Sequence, residues 1–181
     1  MSLERQDKTR RFEETVMAHL DAAYNLARRL ARNEHDAEDV VQEASLRAFR
    51  FLDSFRGGNA RAWLLAIVRN TYYSWLEQNR GRMANVTLDE DAIAAIESDL
   101  ANPQDGVDRL LQQQDTQRLV NRALDRLPPE FREIIVLREL EELSYRDIAQ
   151  ISDIPLGTVM SRLSRARKLL LHALRQLGRD S

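Results

Sequence analysis

The chain has 181 residues, of which 43% are hydrophobic and 31% are charged, and its formal net charge is -2. This composition is typical of a globular protein and excludes a chain that is disordered throughout. The absence of cysteine excludes disulfides, thiolate metal sites and a cysteine nucleophile. The charged N-terminal stretch lacks an apolar signal core, and no apolar run reaches the roughly 18 residues that a membrane span requires. We therefore expect a cytoplasmic protein without membrane insertion.

Charge is distributed unevenly along the chain. Between Arg82 and Asp115 carboxylates greatly outnumber basic residues, whereas basic residues dominate from Gly157 to the C-terminus. A basic cluster on one segment is the electrostatic footprint of a phosphate-binding surface, but a solvated helix face can have the same composition. The basic segment therefore needs a structural motif before it indicates DNA.

Hydrophobic periodicity predicts an all-α protein, because no run of alternating β-branched residues indicates a sheet. A first helix is predicted from about Arg11 to Arg32. Its apolar stripe has the spacing of threes and fours that one helix face requires, with Phe12, Val16, Leu20, Ala23, Ala27 and Leu30. Asp36 is the expected N-cap of a second helix that extends to Leu52. The residues of that helix expected to face the first one are Val41, Ala44, Ala48 and Phe51.

A glycine-containing turn, Phe55 to Asn59, leads into a predicted third helix over 60–78. Within it, Trp63, Ile67 and Val68 are expected to be buried. The first domain then covers residues 8–82. An acidic linker follows at 83–106, with only a weak helical pattern at Asp91 to Ile96. The second domain covers residues 107–178 and is expected to contain four helices, one of which starts at Pro128-Pro129.

A helix-turn-helix signature lies in the second domain. Ser144 is the expected N-cap of a short helix, with Asp147 three residues later in the position of a capping box. Ile154 fills the corner, and Pro155 opens the next helix, where a missing amide proton costs nothing. The spacing predicts a second helix, roughly Leu156 to Leu171, that lies in the major groove of DNA.

The second helix of this motif has one apolar face and several polar ones. The residues expected to pack inward are Val159, Leu163, Ala166 and Leu170. Arg165 is the first candidate for contact with a base edge, because arginine matches the acceptors of guanine. Thr158 and Ser161 are suited to phosphate or base contact, and Arg162, Arg167 and Lys168 are suited to the phosphate backbone.

Aromatic and basic residues are interleaved on the third helix, which is a pattern suited to unstacked bases. The aromatic members are Trp63, Tyr72, Tyr73 and Trp75, and the polar ones include Arg61, Arg69 and Asn70. Trp63 is interpreted as a core residue, because helical spacing places it with Ile67. The roles of Tyr72 and Tyr73 stay open.

Taken together, these motifs resemble the extracytoplasmic function (ECF) sigma factors of bacterial RNA polymerase. The resemblance covers nearly the whole chain and rests on four motifs in order. They are DAEDVVQEASLRAF, LDSFRGG followed by WLLAIVRN, LPPEFREIIVLRELEELSYRDIA, and IPLGTVMSRLSRARKLL. Four ordered motifs are far more specific than a lone helix-turn-helix. The family implies two small helical domains, joined by a linker, that start transcription together with core polymerase.

The resemblance also assigns residues to three surfaces. The surface that binds core RNA polymerase consists of Asp39, Gln42 and Glu43, which share one helix face. The surface for the -10 element, opened as a single strand, consists of Phe55, Arg56, Asn59, Arg61, Arg69, Asn70 and Tyr73. Asn70 is the residue expected to hold a flipped base. The surface that reads the -35 element as duplex consists of Thr158, Met160, Ser161, Arg162, Ser164, Arg165 and Lys168.

The family also implies an anti-sigma factor that covers these faces until a signal releases it. No cofactor or metal is expected, and an enzyme is disfavoured because the three histidines are scattered without metal-ligand spacing. The alternative function is a helix-turn-helix regulator that binds duplex DNA without polymerase. A helical adaptor without DNA contact is disfavoured by the basic segment and the helix-turn-helix.

Overall fold

The computed structural model describes residues 2–81, 89–100 and 116–180, and every regular element within these ranges is a helix. The all-α prediction is therefore confirmed. The first region contains α1 (Ser2–Val16), α2 (Leu20–Ala31), α3 (Glu34–Phe51) and α4 (Ala60–Gln78). The second contains α5 (Glu90–Leu100). The third contains α6 (Thr116–Asp125), α7 (Pro129–Ile135), α8 (Tyr145–Ser152) and α9 (Leu156–Arg179).

The predicted first helix is two helices. A 3₁₀ turn over Met17–His19 separates α1 from α2, and α1 begins nine residues earlier than expected. No glycine or proline marks this break, so local pattern gives no sign of it. The predicted stripe nevertheless holds, since Val16, Ala27 and Leu30 are fully buried.

The predicted inward face of α3 is confirmed at Ala44 and Ala48, which are buried, but the N-cap, Val41 and Phe51 differ from the prediction. Asn33, not Asp36, is the N-cap, and its side chain accepts a hydrogen bond from the Asp36 amide at 2.8 Å. Val40 is fully buried, Val41 is partly buried against the core, and Phe51 is 57% exposed. The reason is that α3 ends in a 3₁₀ turn over Leu52–Ser54, which rotates Leu52 into the core.

The Phe55–Asn59 turn and α4 lie where the sequence places them. Gly57 and Gly58 adopt positive φ angles of 91° and 93°, which glycine tolerates without strain. Asn59 caps α4 by accepting a hydrogen bond from the Ala62 amide at 3.0 Å. Helices α2, α3 and α4 pack on one another and form the core of the N-terminal domain.

The weak helical pattern at Asp91 to Ile96 belongs to a true helix, α5. It packs along α9, with Ile93 buried at 3% exposure. The predicted domain boundaries on either side, at 83 and at 106, lie outside the described residues and stay predictions.

The helix-turn-helix is formed by α8 and α9. Ser144 caps α8 by accepting a hydrogen bond from the Asp147 amide at 3.0 Å, and Asp153 ends α8 in the left-handed conformation. Helix α9 begins after Pro155, as predicted, but continues to Arg179 rather than ending near Leu171. The extension follows from Leu174 and Leu177, which carry the buried face further. The C-terminal domain of residues 116–180 is built by packing α6, α7 and α8 against α9.

The two domains pack against each other through α2 and α4 on one side and α6, α7 and α8 on the other. At the centre of this contact lies Arg132, at 1% exposure. Its guanidinium donates to the carbonyls of Leu124, Leu127 and Leu30 at 2.9, 2.6 and 2.8 Å. Leu30 belongs to α2, so one buried side chain joins both domains. Burial lowers the pKa of Arg132.

Candidate nucleic-acid interface

The outer face of α9 carries the residues predicted to touch duplex DNA. Met160, Ser161, Ser164 and Lys168 are exposed, whereas Thr158, Arg162 and Arg165 are half-buried. Val159, Leu163 and Ala166 are buried, as expected for the inward face. The Ser161 hydroxyl donates to the Thr158 carbonyl at 3.2 Å. The structure therefore brings all seven residues of this set together on one helix.

Arg165 is not free in this conformation, because α5 lies beside it. Its Nη1 lies 3.2 Å from Glu90 Oε2, and its Nε lies 3.6 Å from Glu97 Oε1. The side chain of Glu90 is 77% exposed, so its ion pair with Arg165 lies at the surface, whereas the side chain of Glu97 is only 23% exposed. An exposed pair such as that of Glu90 contributes little to stability.

Two arginines of α4 pair with carboxylates of the C-terminal domain. Arg61 forms an ion pair with Glu141, and Arg69 donates to Glu133 Oε2 at 3.0 Å and Oε1 at 3.3 Å. Glu133 is fully buried, and burial raises its pKa although Arg69 opposes the rise. Burial lowers the pKa of Arg69, but the hydrogen bonds to Glu133 outweigh it and the net shift is upward. Two arginine–carboxylate pairs therefore cross the interface between the two domains.

Tyr73 and Asn70 flank Arg69 on α4. The Arg69 guanidinium lies over the Tyr73 ring at 4.4 Å from its centroid, within the range of a cation-π contact. Burial, assisted by the neighbouring Glu133 carboxylate, raises the pKa of the Tyr73 phenol. Asn70 is exposed and accepts a hydrogen bond from Arg69 Nη1 at 3.3 Å. Tyr72 is a core residue at 2% exposure.

The Phe55–Asn59 turn forms the end of the same surface. The Phe55 and Trp63 rings are 5.1 Å apart, and Arg56 is exposed. Trp63 and Ile67 are half-buried and pack against the core rather than within it. A cavity of about 340 Å³ between α8 and the turn lies beside Trp63. Asp147 of α8 lines this cavity opposite the turn.

The set assigned to polymerase lies on the outer face of α3. Asp39, Gln42 and Glu43 are exposed there, as their spacing predicts, and Glu43 pairs with Arg47 at 3.1 Å. His35 Nε2 lies 3.7 Å from Asp39 Oδ2. Leu46 on the same helix is 52% exposed, which adds apolar surface to this polar face.

Sequence reasoning missed the charged residues that hold the domains together, Arg132, Glu133 and Glu141. The sequence indicates the burial of Arg132 and Glu133 only through their position, side by side within the apolar run EFREIIVL. Charged residues in such a run are buried only when partners compensate them.

Comparisons with known proteins now decide the family. Residues 15–82 match the Sigma-70 region 2 family, and residues 117–170 match Sigma-70, region 4. ECF RNA polymerase sigma-E factor of Escherichia coli (strain K12) is 39% identical over 141 residues, which cover 75% of this chain and 72% of that protein. The chain belongs to the ECF RNA polymerase sigma factor family.

This ECF sigma factor is also similar in sequence to a second relative and in fold to two solved structures. SigE of Mycolicibacterium smegmatis is 38% identical over 159 residues, and the match spans 88% of this chain but 60% of that protein. RpoE of Bartonella quintana, solved with the anti-sigma factor NepR, is 31% identical with a TM-score of 0.66, and the match covers 91% of this chain and 96% of RpoE. CnrH, solved with the cytosolic domain of CnrY, is 26% identical with a TM-score of 0.59, and the match covers 94% of this chain and 89% of CnrH.

Within residues 2–81, 89–100 and 116–180, no helix is long and apolar enough to cross a membrane. The same part of the chain contains no group of three histidine or acidic side chains placed to hold a metal ion.

Proposed function

We propose that this chain starts transcription as a sigma subunit, in the cytoplasm, by binding core RNA polymerase and reading two promoter elements. The observation that supports this most strongly is the order of the two matched regions along one chain, region 2 before region 4. A conventional regulator needs only the second. The alternative, a helix-turn-helix protein that binds DNA without polymerase, is therefore not favoured.

In this proposal each domain contacts a different part of the promoter complex. Helix α9 reads the -35 element in the major groove, with Arg165 at a base edge and Lys168 on phosphate. Helix α4 and the Phe55–Asn59 turn hold the opened -10 strand. Extracting a base costs a few kcal/mol, which the exposed Asn70 amide and nearby arginines offset by hydrogen bonds.

The exposed face of α3 is the proposed docking surface for core polymerase. Asp39, Gln42 and Glu43 provide acceptors and a donor on one face, and the exposed Leu46 provides apolar contact. We further propose an anti-sigma factor as a regulatory partner, because RpoE of Bartonella quintana was solved with NepR.

Run-off transcription from the chain's own upstream region, with bacterial core RNA polymerase, tests the function. We expect transcripts only when both proteins are present, and we expect Asn70→Ala and Arg165→Ala each to reduce them about tenfold or more, since one lost base contact is worth about 1–3 kcal/mol. The matched controls are Asn25→Ala and Arg179→Ala, which change exposed residues that belong to neither assigned set. Transcription that survives both test substitutions would remove these residues from the proposal.

A further inference from the structure

Helix α5 packs beside the DNA-reading helix α9 through both charged and apolar side chains. Glu90 and Glu97 are two turns apart on one side of α5, and both carboxylates reach Arg165. Between them Ile93 is 3% exposed, and Ile96 is partly buried against the core. Charge complementarity and apolar burial therefore act on the same contact.

The helical state of α5 itself depends on this docking. The helix has 11 residues, and isolated helices below about 12–15 residues are marginal in water. Asp89 caps it by accepting a hydrogen bond from the Ala92 amide at 2.7 Å, but one cap adds only about 1 kcal/mol. Packing of Ile93 along α9 supplies the remaining stabilisation. A folded α5 is thus a sign that it is docked.

Docked α5 keeps the Arg165 side chain from DNA. Its Nη1 lies 3.2 Å from Glu90 and its Nε lies 3.6 Å from Glu97. An arginine that reads guanine must direct its donors at the O6 and N7 acceptors of the base instead. The contacts with Glu90 and Glu97 must therefore break before Arg165 reads a base edge.

We infer that α5 is an internal competitor for the DNA-reading face of α9, in which the carboxylates of Glu90 and Glu97 occupy the place of DNA acceptors. The inference rests on the proposed role of α9 at the -35 element. Its consequence is that the free chain binds duplex DNA more weakly than α9 alone would allow, in proportion to the fraction of molecules with α5 released. The exposed ion pair of Arg165 with Glu90 adds little stability, so the docking of α5 is reversible.

Duplex binding by variants of the full chain tests the competition. The probe is a fluorescently labelled duplex of the chain's own upstream region, titrated at low ionic strength without polymerase. We expect Ile93→Ala to tighten binding about tenfold, since it removes most of a buried aliphatic side chain. Glu97→Gln is expected to tighten binding about two- to fivefold, because it removes the charge of one of the two carboxylates that hold Arg165.

Asp91→Asn is the matched control for charge. It removes one negative charge from the same helix, but Asp91 is exposed and no ion pair of it is seen within the described residues. We expect its binding to stay within about 1.5-fold of the wild type, as for a surface charge without a partner. If Asp91→Asn and Glu97→Gln tighten binding equally, net charge explains the effect and the competition is overturned.

Hydrogen exchange of the backbone amides in residues 90–100 reports docking without relying on affinity. We expect protection in the free chain, loss of protection in Ile93→Ala, and loss of protection in the wild type once duplex is bound. Protection that persists in the DNA complex overturns the competition, and so does a failure of Ile93→Ala to bind duplex any tighter.

The same experiments separate this inference from the proposed function. If Arg165→Ala abolishes transcription with core polymerase while Ile93→Ala leaves duplex binding unchanged, the function stands and the competition fails. If Arg165→Ala transcribes normally, the assignment of α9 fails first, whatever α5 does.

Discussion

The two surfaces assigned to DNA meet carboxylates of the same chain in opposite environments. On α4, Arg69 pairs with Glu133, whose side chain is fully buried. On α9, Arg165 pairs with Glu90, whose side chain is 77% exposed. A buried pair cannot lose one partner without leaving a charge in a low-dielectric interior, whereas the partners of an exposed pair return to water at little cost. The pair of Arg69 with Glu133 therefore holds the two domains together. The pair of Arg165 with Glu90 can be broken at little cost.

The largest expected effect on stability comes from Arg132, which is buried at the contact between the two domains. Arg132→Leu removes the donors of three buried carbonyls, so we expect the free energy of unfolding to fall by about 3–5 kcal/mol. Urea unfolding followed by circular dichroism measures the loss. Arg122→Leu, on the exposed side of α6, is the control and is expected to change stability by less than about 0.5 kcal/mol. Equal losses in the two variants would show that Arg132 does not join the domains.

A double-mutant cycle on Arg69 and Glu133 measures the buried pair directly. Glu133→Ala leaves a half-buried guanidinium without its partner, and we expect a loss of about 3 kcal/mol. Arg69→Met combined with Glu133→Ala is expected to lose clearly less than the sum of the single changes, because neither charge is then left alone. Additive losses would mean that the two side chains do not interact in solution.

Stability should depend on pH through Glu133. Its folded-state pKa is raised by burial, so the folded chain binds a proton more readily than the unfolded one. The contribution of this group is fully present below its unfolded pKa and is lost as pH rises through the folded pKa. As pH falls from 7 towards 5, we expect the wild type to gain stability relative to Glu133→Gln, measured by urea unfolding at each pH. A difference that is constant with pH, or that shrinks, would contradict the raised pKa.

The smallest expected effect is that of an exposed pair on the C-terminal domain. Arg167 Nε lies 2.9 Å from Glu139, and both side chains are about half exposed. A double-mutant cycle with Arg167→Met and Glu139→Gln should give a coupling energy below about 1 kcal/mol. A coupling as large as that of Arg69 and Glu133 would remove the contrast between buried and exposed pairs.

Features fixed by short segments could be predicted from the sequence. The start of α4 follows from Gly57-Gly58 and Asn59, the start of α8 from Ser144, and the start of α9 from Pro155. These residues act on their immediate neighbours, so a local pattern contains the information. The grouping of the seven residues on α9 follows in the same way from helical periodicity.

Features that depend on distant partners could not be predicted. Arg132 is buried because Leu30, 102 positions away, supplies a carbonyl acceptor, and Glu133 is buried because Arg69 lies 64 positions away. The docking of α5 depends on Arg165, 75 positions from Glu90. No periodicity in one segment encodes these pairings, and the break between α1 and α2 similarly carries no glycine or proline.

The most direct test of the central claim is promoter opening by the chain with and without core RNA polymerase. Permanganate reactivity of thymines in the chain's own upstream region reports unpaired bases. The sigma assignment predicts reactivity only when both proteins are present, and a loss of that reactivity in Asn70→Ala. If the chain binds the duplex without polymerase, and the promoter does not open when core polymerase is added, the account is contradicted. That result would favour a conventional helix-turn-helix regulator.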